Sequence, residues 1–257
     1  MSPVLLGFVA SLLAGLLTAA GAVPVLLQRR ISPGFSDTML GFAAGVMLAA
    51  SFFSLLLPAI EWAALRHGAG LIPALMVSAG VLAGGFAVGF LNEIVPHEHF
   101  FQGREGPSAS ELDRVWLFVL AITIHNLPEG MAVGVGFGGG DIAGGTMLAL
   151  GIGLQNAPEG LAVALALRAV GYSPAKAFVV AGLTGLVEPV TGALGAWAVS
   201  FSQVLLPWAL SFAAGAMIYV ISHEIIPDTH RHGVQRRATI GLMIGFALMM
   251  LLDTSFG

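Results

Sequence analysis

Long apolar stretches, separated by short polar or Pro/Gly-rich stretches, follow one another along the whole chain. A helix needs about 20 mostly apolar residues to cross the hydrocarbon core of a bilayer. Eight runs of suitable length can be placed, at 3–27, 36–60, 70–94, 115–138, 142–168, 174–200, 204–226 and 236–254. The pattern therefore predicts an all-α integral membrane protein with eight transmembrane helices in a single transmembrane domain, residues 1–257.

The composition supports a lipid environment and limits the available chemistry. Of the 257 residues, 57% are hydrophobic and 9% are charged, whereas about a quarter of the residues of a soluble domain are charged. The mean hydropathy is +0.91, and the 35 glycines favour close helix packing within a membrane. Because the chain has no cysteine, any metal site must use histidine, carboxylate or amide ligands.

The basic residues are distributed unevenly between the two sides that eight spans define. One side receives Arg29, Arg30, Arg104, Arg114, Arg168, Lys176, Arg231, Arg236 and Arg237, and the other receives Arg66. The positive-inside rule then puts both termini outside the cytoplasm, and the connection 95–114 inside, in a cell (inner or plasma) membrane. Residues 3–27 are interpreted as a retained span; a cleaved leader is the alternative, which the missing basic n-region disfavours.

Two pairs of segments repeat within the chain. Phe-Ala-Ala-Gly-Val-Met at 42–47 returns as Phe-Ala-Ala-Gly-Ala-Met at 212–217, and Gly-Phe-Ala at 85–87 returns at 245–247. By the predicted topology the members of each pair cross the membrane in opposite directions. Spans one to three and six to eight therefore resemble inverted repeats around a central pair, a 3+2+3 arrangement used by secondary transporters. Chance similarity explains the second pair nearly as well.

A third couple carries polar chemistry in the predicted membrane interior. His-Asn-Leu-Pro-Glu-Gly at 125–130 matches Gln-Asn-Ala-Pro-Glu-Gly at 155–160. Residues four apart share a helix face, so the first residue and the Glu of each motif can face the opposite motif. A proline adjoins each Glu, where it either frees a carbonyl to line a passage or only kinks the helix. The candidate metal ligands near mid-span are His125, Asn126, Glu129, Gln155, Asn156, Glu159 and Glu188.

Three carboxylates at bilayer depth require neutralisation. An ionisable group inside a membrane costs several kcal/mol unless it is paired or solvated, and no Lys or Arg lies at that depth in any predicted span. A divalent cation would neutralise the carboxylates directly, and the ligand types suit zinc, iron or manganese. The alternative is a structural network in which the buried carboxyls are protonated.

Further candidate residues lie nearer the predicted membrane surfaces. Asp253, near the outer end of span eight, is a candidate entrance residue, although helix-end carboxylates are also ordinary interface residues. Met47 could supply a soft ligand, but a single Met usually only packs. A solvated loop containing histidines also often has no metal role. The candidate cytoplasmic exit residues are Glu93, His97, His99, His223, Glu224, His230 and His232.

Taken together, these motifs resemble the ZIP (Zrt-/Irt-like) family of metal transporters, in particular its GufA-type prokaryotic members. Besides the two six-residue motifs, the resemblance rests on Glu188-Pro189, Pro96-His97-Glu98-His99, Ser222-His223-Glu224 and Leu252-Asp253-Thr254. It implies eight core helices and transport of zinc into the cytoplasm, with cadmium, iron and manganese as further candidate substrates. It also implies an elevator-like motion of spans one, four, five and six, and a homodimer.

The resemblance further implies a binuclear site. One metal would bind His125, Glu129, Gln155 and Glu159, and the other would bind Asn126, Glu129, Asn156 and Glu188. Relatives can carry Asp at the position of Asn156, so this chain has one negative charge fewer and its second metal position is expected to be weaker.

Other function classes remain open at this stage. An intramembrane zinc metalloenzyme would also carry His and Glu on its helices, but the His-Glu-x-x-His motif is missing. A metal sensor would not need inverted repeats, and export is as compatible with a midplane site as import. We therefore expect a transporter rather than an enzyme, with a divalent cation as substrate and not as cofactor, membrane lipid as its surroundings and no nucleic-acid partner.

Overall fold

A computed structural model describes residues 1–27, 32–94, 97–99, 103–105, 114–169, 171–229 and 235–256. These residues are almost entirely helical. The α-helices are α1 (Pro3–Leu26), α2 (Pro33–Ala50), α3 (Leu57–His67), α4 (Leu71–Ile94), α5 (Arg114–Gly138), α6 (Ile142–Ala169), α7 (Pro174–Thr184), α8 (Glu188–Phe201), α9 (Leu206–Val220), α10 (Ile226–Thr229) and α11 (Gln235–Phe256).

Short non-α turns join several of these helices into longer rods. A π-helical segment, Ser51–Leu56, connects α2 to α3, and a second, Ile221–Ile225, connects α9 to α10. A 3₁₀ turn, Gly185–Val187, lies between α7 and α8, and another, Gln203–Leu205, leads into α9. Within the described ranges the helices thus form eight rods, which follow the eight predicted runs in order.

Serine–proline pairs determine where three of these helices begin. Ser2, Ser32 and Ser173 each precede a proline at the first turn, and each hydroxyl accepts a hydrogen bond from the backbone N–H three residues later. The serine satisfies an otherwise unpaired N–H of the first turn, and proline tolerates this position because its missing N–H is not needed there.

The outward surfaces of the helices are apolar, as expected for a protein in lipid. Leu71 is 73% exposed, Phe86 is 74% exposed and Phe201 is 72% exposed, whereas several charged residues are fully buried. Seven helices in the described residues are long and apolar enough to cross a membrane. The rod of α5 is not among them, and α6, which carries the matching polar motif, has the lowest mean hydropathy of the seven, 1.2. The chain is a multi-pass membrane protein.

The rods pack as two parallel pairs and one central group. In the first pair, α2 runs parallel to α11, with Gly41 beside Ala238 and Gly45 beside Leu242. In the second pair, α4 runs parallel to α9, with Gly80 beside Ser211 and Gly84 beside Phe212. Helices α1, α5, α6 and α8 pack mainly against one another, and the polar motifs lie within this group.

The helices are longer than the predicted spans at two places. The second rod continues to His67, where the predicted span ends at 60, and the seventh continues to Thr229, where the predicted span ends at 226. Since a helix can extend beyond its membrane-embedded part, the spans themselves stay predictions. Within the connection 95–114, strands β1 (His97–His99) and β2 (Gly103–Glu105) form an antiparallel pair with His97 opposite Glu105. A strand pair of this length has no apolar periodicity to predict it.

Candidate metal centre

The two polar motifs face each other because α5 and α6 form a helical hairpin. Gly136 near the end of α5 lies beside Gly145 near the start of α6, so the two helices run in opposite directions. Each helix continues through its internal proline, Pro128 or Pro158. Every candidate ligand of the predicted mid-span set is at most 3% exposed. The hairpin therefore concentrates the polar side chains of both motifs inside the helix bundle.

Three ionisable groups form the first part of the centre. His125 Nε2 lies 3.5 Å from Glu129 Oε1 and 3.5 Å from Glu159 Oε1. One ligand atom from each of these residues lies within 4.8 Å of the other two. The Gln155 side-chain amide donates a hydrogen bond to Glu129 Oε1. We call His125, Glu129, Gln155 and Glu159 the histidine half; its residues contact one another through side chains.

The second part of the centre is anchored to the backbone of neighbouring helices. Asn126 Nδ2 donates to the carbonyl of Thr184 at 2.9 Å. Asn156 Nδ2 donates to the carbonyl of Ala14 at 2.9 Å and to Glu188 Oε1 at 2.8 Å. Because a carbonyl cannot donate, these contacts determine which way each amide points. We call Asn126, Asn156 and Glu188 the asparagine half.

Several oxygen atoms of both halves are buried and have no hydrogen-bond donor among the described residues. Buried polar atoms are normally satisfied, and a cluster of exceptions suggests an ion or water. Carboxylate and amide oxygens together with an imidazole nitrogen suit zinc, iron or manganese. The oxygens without a donor are Glu129 Oε2, Glu159 Oε1 and Oε2, Glu188 Oε2, Gln155 Oε1, Asn126 Oδ1 and Asn156 Oδ1.

The final glycine of each motif allows a second helix to reach the centre. A Cβ at Gly130 would overlap the carbonyl oxygen of Glu188, and a Cβ at Gly160 would overlap the carbonyl oxygen of Thr18. Gly130 therefore brings α8 against α5, and Gly160 brings α1 against α6. Only glycine permits backbone contacts this close.

Glu188 lies directly after a 3₁₀ turn within its rod. The sequence predicts it near the middle of one helix at 174–200, and the rod is continuous from Pro174 to Phe201, with the turn Gly185–Val187 between α7 and α8. Pro189 occupies the first turn of α8, where proline is tolerated.

Asp253, the predicted entrance residue, lies in a separate cavity of about 300 Å³. Its Oδ2 accepts a hydrogen bond from Ser54 Oγ at 3.0 Å. Glu61 and Asp141 line the same cavity. The sequence patterns did not identify Ser54, Glu61 or Asp141, because none belongs to a repeated motif.

The predicted exit residues are only partly described. Glu93 is exposed at the end of α4, and the ring of His223 lies 5.1 Å from that of Tyr219. The backbone of His97 and His99 forms β1, but their side chains and that of Glu224 lie outside the description. His230 and His232 also lie outside the described residues. Their proposed role remains a prediction.

Met47 is fully buried in the main apolar core. The sequence left open whether it serves as a soft ligand or as packing. Its surroundings favour packing, since buried Met usually fills apolar space.

Comparisons with known proteins agree with the geometry. The family model described as ZIP zinc transporter matches residues 97–253, a range that contains both motifs and Glu188. The chain is 49% identical over 251 residues to the zinc transporter GufA of Myxococcus xanthus, covering 98% of this chain and 99% of that protein. It is 50% identical over 240 residues to the zinc transporter ZIPB of Bordetella bronchiseptica, covering 93% and 78%. It is 36% identical to the zinc transporter ZIP11 of Homo sapiens, in an alignment that covers 94% of each chain.

Proposed function

The chain belongs to the ZIP family of zinc transporters, and we propose that it moves a divalent metal ion, zinc first among the candidates, across a cell membrane into the cytoplasm. The observation that carries this proposal is the buried contact of His125 with two carboxylates from facing helices, each 3.5 Å away. Cadmium, iron and manganese accept the same ligand types and are further candidate substrates. The names of the similar proteins support zinc.

We propose eight membrane spans with both termini outside the cytoplasm, in the inner or plasma membrane. Eight rods in the described residues support the count, and the distribution of basic residues supports the orientation. The short polar stretch of α5 would be tolerated within the bilayer because its polar side chains face the protein interior.

The proposed 3+2+3 inverted repeat is supported by two structural correspondences. Each repeated hexapeptide, 42–47 and 212–217, is followed after three residues by a π-helical segment. The parallel pair of α2 with α11 corresponds to the parallel pair of α9 with α4. Inverted repeats of this kind generate inward-open and outward-open states around one midplane site.

For alternating access, we propose that α1, α5, α6, α7 and α8 move as a unit against α2, α4, α9 and α11. The packing supports this division, since the first group forms both halves of the centre and the parallel pairs pack mainly within themselves. Entry past Asp253 and exit past Glu93 and His223 complete the proposed path. A homodimer rests on the family resemblance alone.

We propose that one ion binds strongly in the histidine half and that the asparagine half is a weaker second position. Glu129 and Glu159 supply two negative charges beside His125, enough for one divalent ion. In the asparagine half, Asn156 is neutral and its amide already contacts Glu188. A second ion there would have fewer charges to balance it.

The decisive experiment measures metal flux into proteoliposomes for the wild type and for Glu159→Gln, over a panel of divalent ions. Glu159→Gln keeps the side-chain shape but removes one charge next to His125 Nε2. We expect zinc uptake at sub-saturating zinc to fall by at least roughly tenfold, which corresponds to about 1.4 kcal/mol. The control is Ser211→Ala, since Ser211 is buried but donates only within its own helix, to the carbonyls of Pro207 and Trp208.

Three outcomes would overturn this proposal. Equal uptake by Glu159→Gln and the wild type would exclude the histidine half as the transport site. Zinc transport only from the cytoplasmic face of the protein to its outer face, with both orientations in the vesicles assayed, would indicate an exporter. Hydrolysis of a membrane substrate without flux would indicate a metalloenzyme.

A further inference from the structure

The hydroxyl group of Thr18 in α1 behaves differently from other threonine hydroxyls of the helices. Thr38, Thr123, Thr146 and Thr254 each donate to the carbonyl four residues earlier, at 2.7 to 2.8 Å. This is the ordinary arrangement for threonine within a helix. Thr18 is 1% exposed, and its Oγ1 has no hydrogen-bond partner among the described residues. A buried hydroxyl without a partner is destabilising, so its retention needs an explanation.

Thr18 lies between the two helices that carry the buried carboxylates Glu159 and Glu188. Its carbonyl oxygen touches Gly160, which directly follows Glu159. A Cβ at Gly185 would lie only 2.7 Å from Thr18 Oγ1, and Gly185 is one 3₁₀ turn before Glu188. The hydroxyl therefore lies beside the 3₁₀ turn between α7 and α8, which directly precedes Glu188.

The same face of α1 already contacts the asparagine half one helical turn earlier. The carbonyl of Ala14 accepts the hydrogen bond of Asn156 Nδ2, and a Cβ at Gly15 would lie 3.2 Å from Glu188 Oε1. Residues three and four apart lie on one helix face, so Ala14, Gly15 and Thr18 line up along the asparagine half. This strip of α1 forms a wall of the metal centre.

We propose that Thr18 is a positioning residue of the transport site, whose hydroxyl holds a water molecule on the side of the bound ion that faces the asparagine half. The proposal rests on the proposed function, because it assumes that an ion binds in the centre. An ion held by the histidine half meets mainly neutral amide oxygens on this side, so it keeps part of its hydration shell there. A hydroxyl can accept from such a water and donate to a carboxylate at once.

The test compares Thr18→Val, which keeps the shape and removes the hydroxyl, with Thr18→Ser, which keeps the hydroxyl. The matched control is Ser11→Ala, because Ser11 lies on the same helix and is equally buried, but donates to the carbonyls of Gly7 and Phe8. Zinc affinity of the purified protein, thermal unfolding with and without zinc, and zinc uptake by proteoliposomes are measured for all four proteins.

For Thr18→Val we expect zinc affinity and uptake at low zinc to fall about threefold, less than is usual for an outer-shell partner that contacts a ligand directly, because a water molecule separates the hydroxyl from the ion. Its melting temperature without zinc should be equal to or above that of the wild type, since an unsatisfied buried hydroxyl has been removed. The rise in melting temperature on adding zinc should be smaller. Thr18→Ser should restore affinity, and Ser11→Ala should bind zinc as the wild type does.

The outcomes separate this proposal from the one on which it rests. Wild-type zinc affinity in Thr18→Val would exclude a role for the hydroxyl. A lower melting temperature without zinc, together with weaker binding in both Thr18 variants, would mean that Thr18 only packs. If the wild-type protein itself neither binds nor transports zinc or another divalent ion, the proposed function fails instead.

Discussion

The two halves of the candidate metal centre draw on the same two six-residue motifs, with Glu188 added from α8, yet the structure holds them in different ways. In the histidine half, Glu129, Gln155 and His125 contact one another through side chains. In the asparagine half, both amide nitrogens are attached to backbone carbonyls of other helices, Thr184 and Ala14. The first half contains two carboxylates beside an imidazole and an amide, and the second half contains two neutral amides and one carboxylate.

This difference separates binding an ion from connecting the helices that are proposed to move. Side chains that contact one another can reorganise around an ion without disturbing the backbone. Amides attached to α1 and to the end of α7 instead tie those helices to α5 and α6. We therefore infer that the histidine half determines affinity, and that the asparagine half keeps the moving unit together while supplying outer oxygen atoms.

The strongest challenge to this comparison is to give the asparagine half the missing charge with Asn156→Asp. The carboxylate oxygen that replaces Nδ2 would face the carbonyl of Ala14 and Glu188 Oε1, both acceptors, so without zinc we expect a loss of about 3–5 kcal/mol in the free energy of unfolding. With zinc, the added charge should attract a second ion, raising the bound zinc from one to two per chain. Thermal unfolding and metal analysis measure the two effects.

The control for this variant is Asn156→Leu, which also removes the amide donor but adds no charge. It should be destabilised with or without zinc and should gain no second ion. If Asn156→Asp still bound one zinc and zinc failed to recover its stability, the asparagine half would not be a metal position at all.

A smaller effect, a moderate loss of zinc affinity, is expected from Glu188→Gln. The Gln side chain can still accept the hydrogen bond from Asn156 Nδ2 through Oε1, so the hydrogen bonds of the asparagine half should remain intact. Only a charge outside the histidine half is lost. We expect one zinc to remain bound with an affinity reduced by less than tenfold, below about 1.4 kcal/mol, as measured by calorimetric titration of the purified protein.

Glu188→Gln also tests whether the two halves are unequal. Its loss of affinity should be clearly smaller than that of Glu159→Gln measured in the same way. Equal losses would mean that Glu188 is as close to the ion as Glu159, and the distinction between the halves would have to be abandoned.

The sequence was most informative where the structure depends on side-chain type and periodicity. Apolar runs predicted the helices, and the four-residue spacing predicted that His125 and Glu129 share a face, which the contact between them matches. The anchoring of the asparagine half could not be predicted, because it uses the backbone carbonyls of Ala14 and Thr184, and every residue type has a carbonyl. The patterns show which side chains are unusual, but not which backbone atoms they meet.

The 3₁₀ turn before Glu188 shows a second limit of pattern-based prediction. The run 174–200 is mostly apolar, so hydropathy predicts one continuous helix, and Pro189 left open whether a carbonyl is freed or the helix only kinks. The rod is continuous from Pro174 to Phe201, but the turn Gly185–Val187 interrupts its α-helical hydrogen bonding just before Glu188. A local change from α-helical to 3₁₀ hydrogen bonding does not alter the hydropathy of the run, so the pattern could not predict it.

The smallest effect is expected at the entrance cavity, away from both halves. Ser54→Ala removes the hydrogen bond to Asp253 Oδ2, and a bond of this kind contributes about 1 kcal/mol. If Asp253 attracts ions before they reach the centre, its carboxylate should be less well oriented in the variant. We expect zinc uptake at low zinc and low ionic strength to fall about two- to threefold, with high salt reducing the difference.

Equilibrium zinc affinity should not change in Ser54→Ala, because the histidine half is intact, and this separates an entrance role from a binding role. The neighbouring Thr254→Val is a suitable control, since its hydroxyl donates within its own helix to the carbonyl of Met250 at 2.7 Å. A loss of equilibrium affinity in Ser54→Ala would instead mean that the entrance and the histidine half are coupled. The centre could then no longer be treated as two self-contained halves, because its affinity would depend on a residue in the π-helical segment of the second rod.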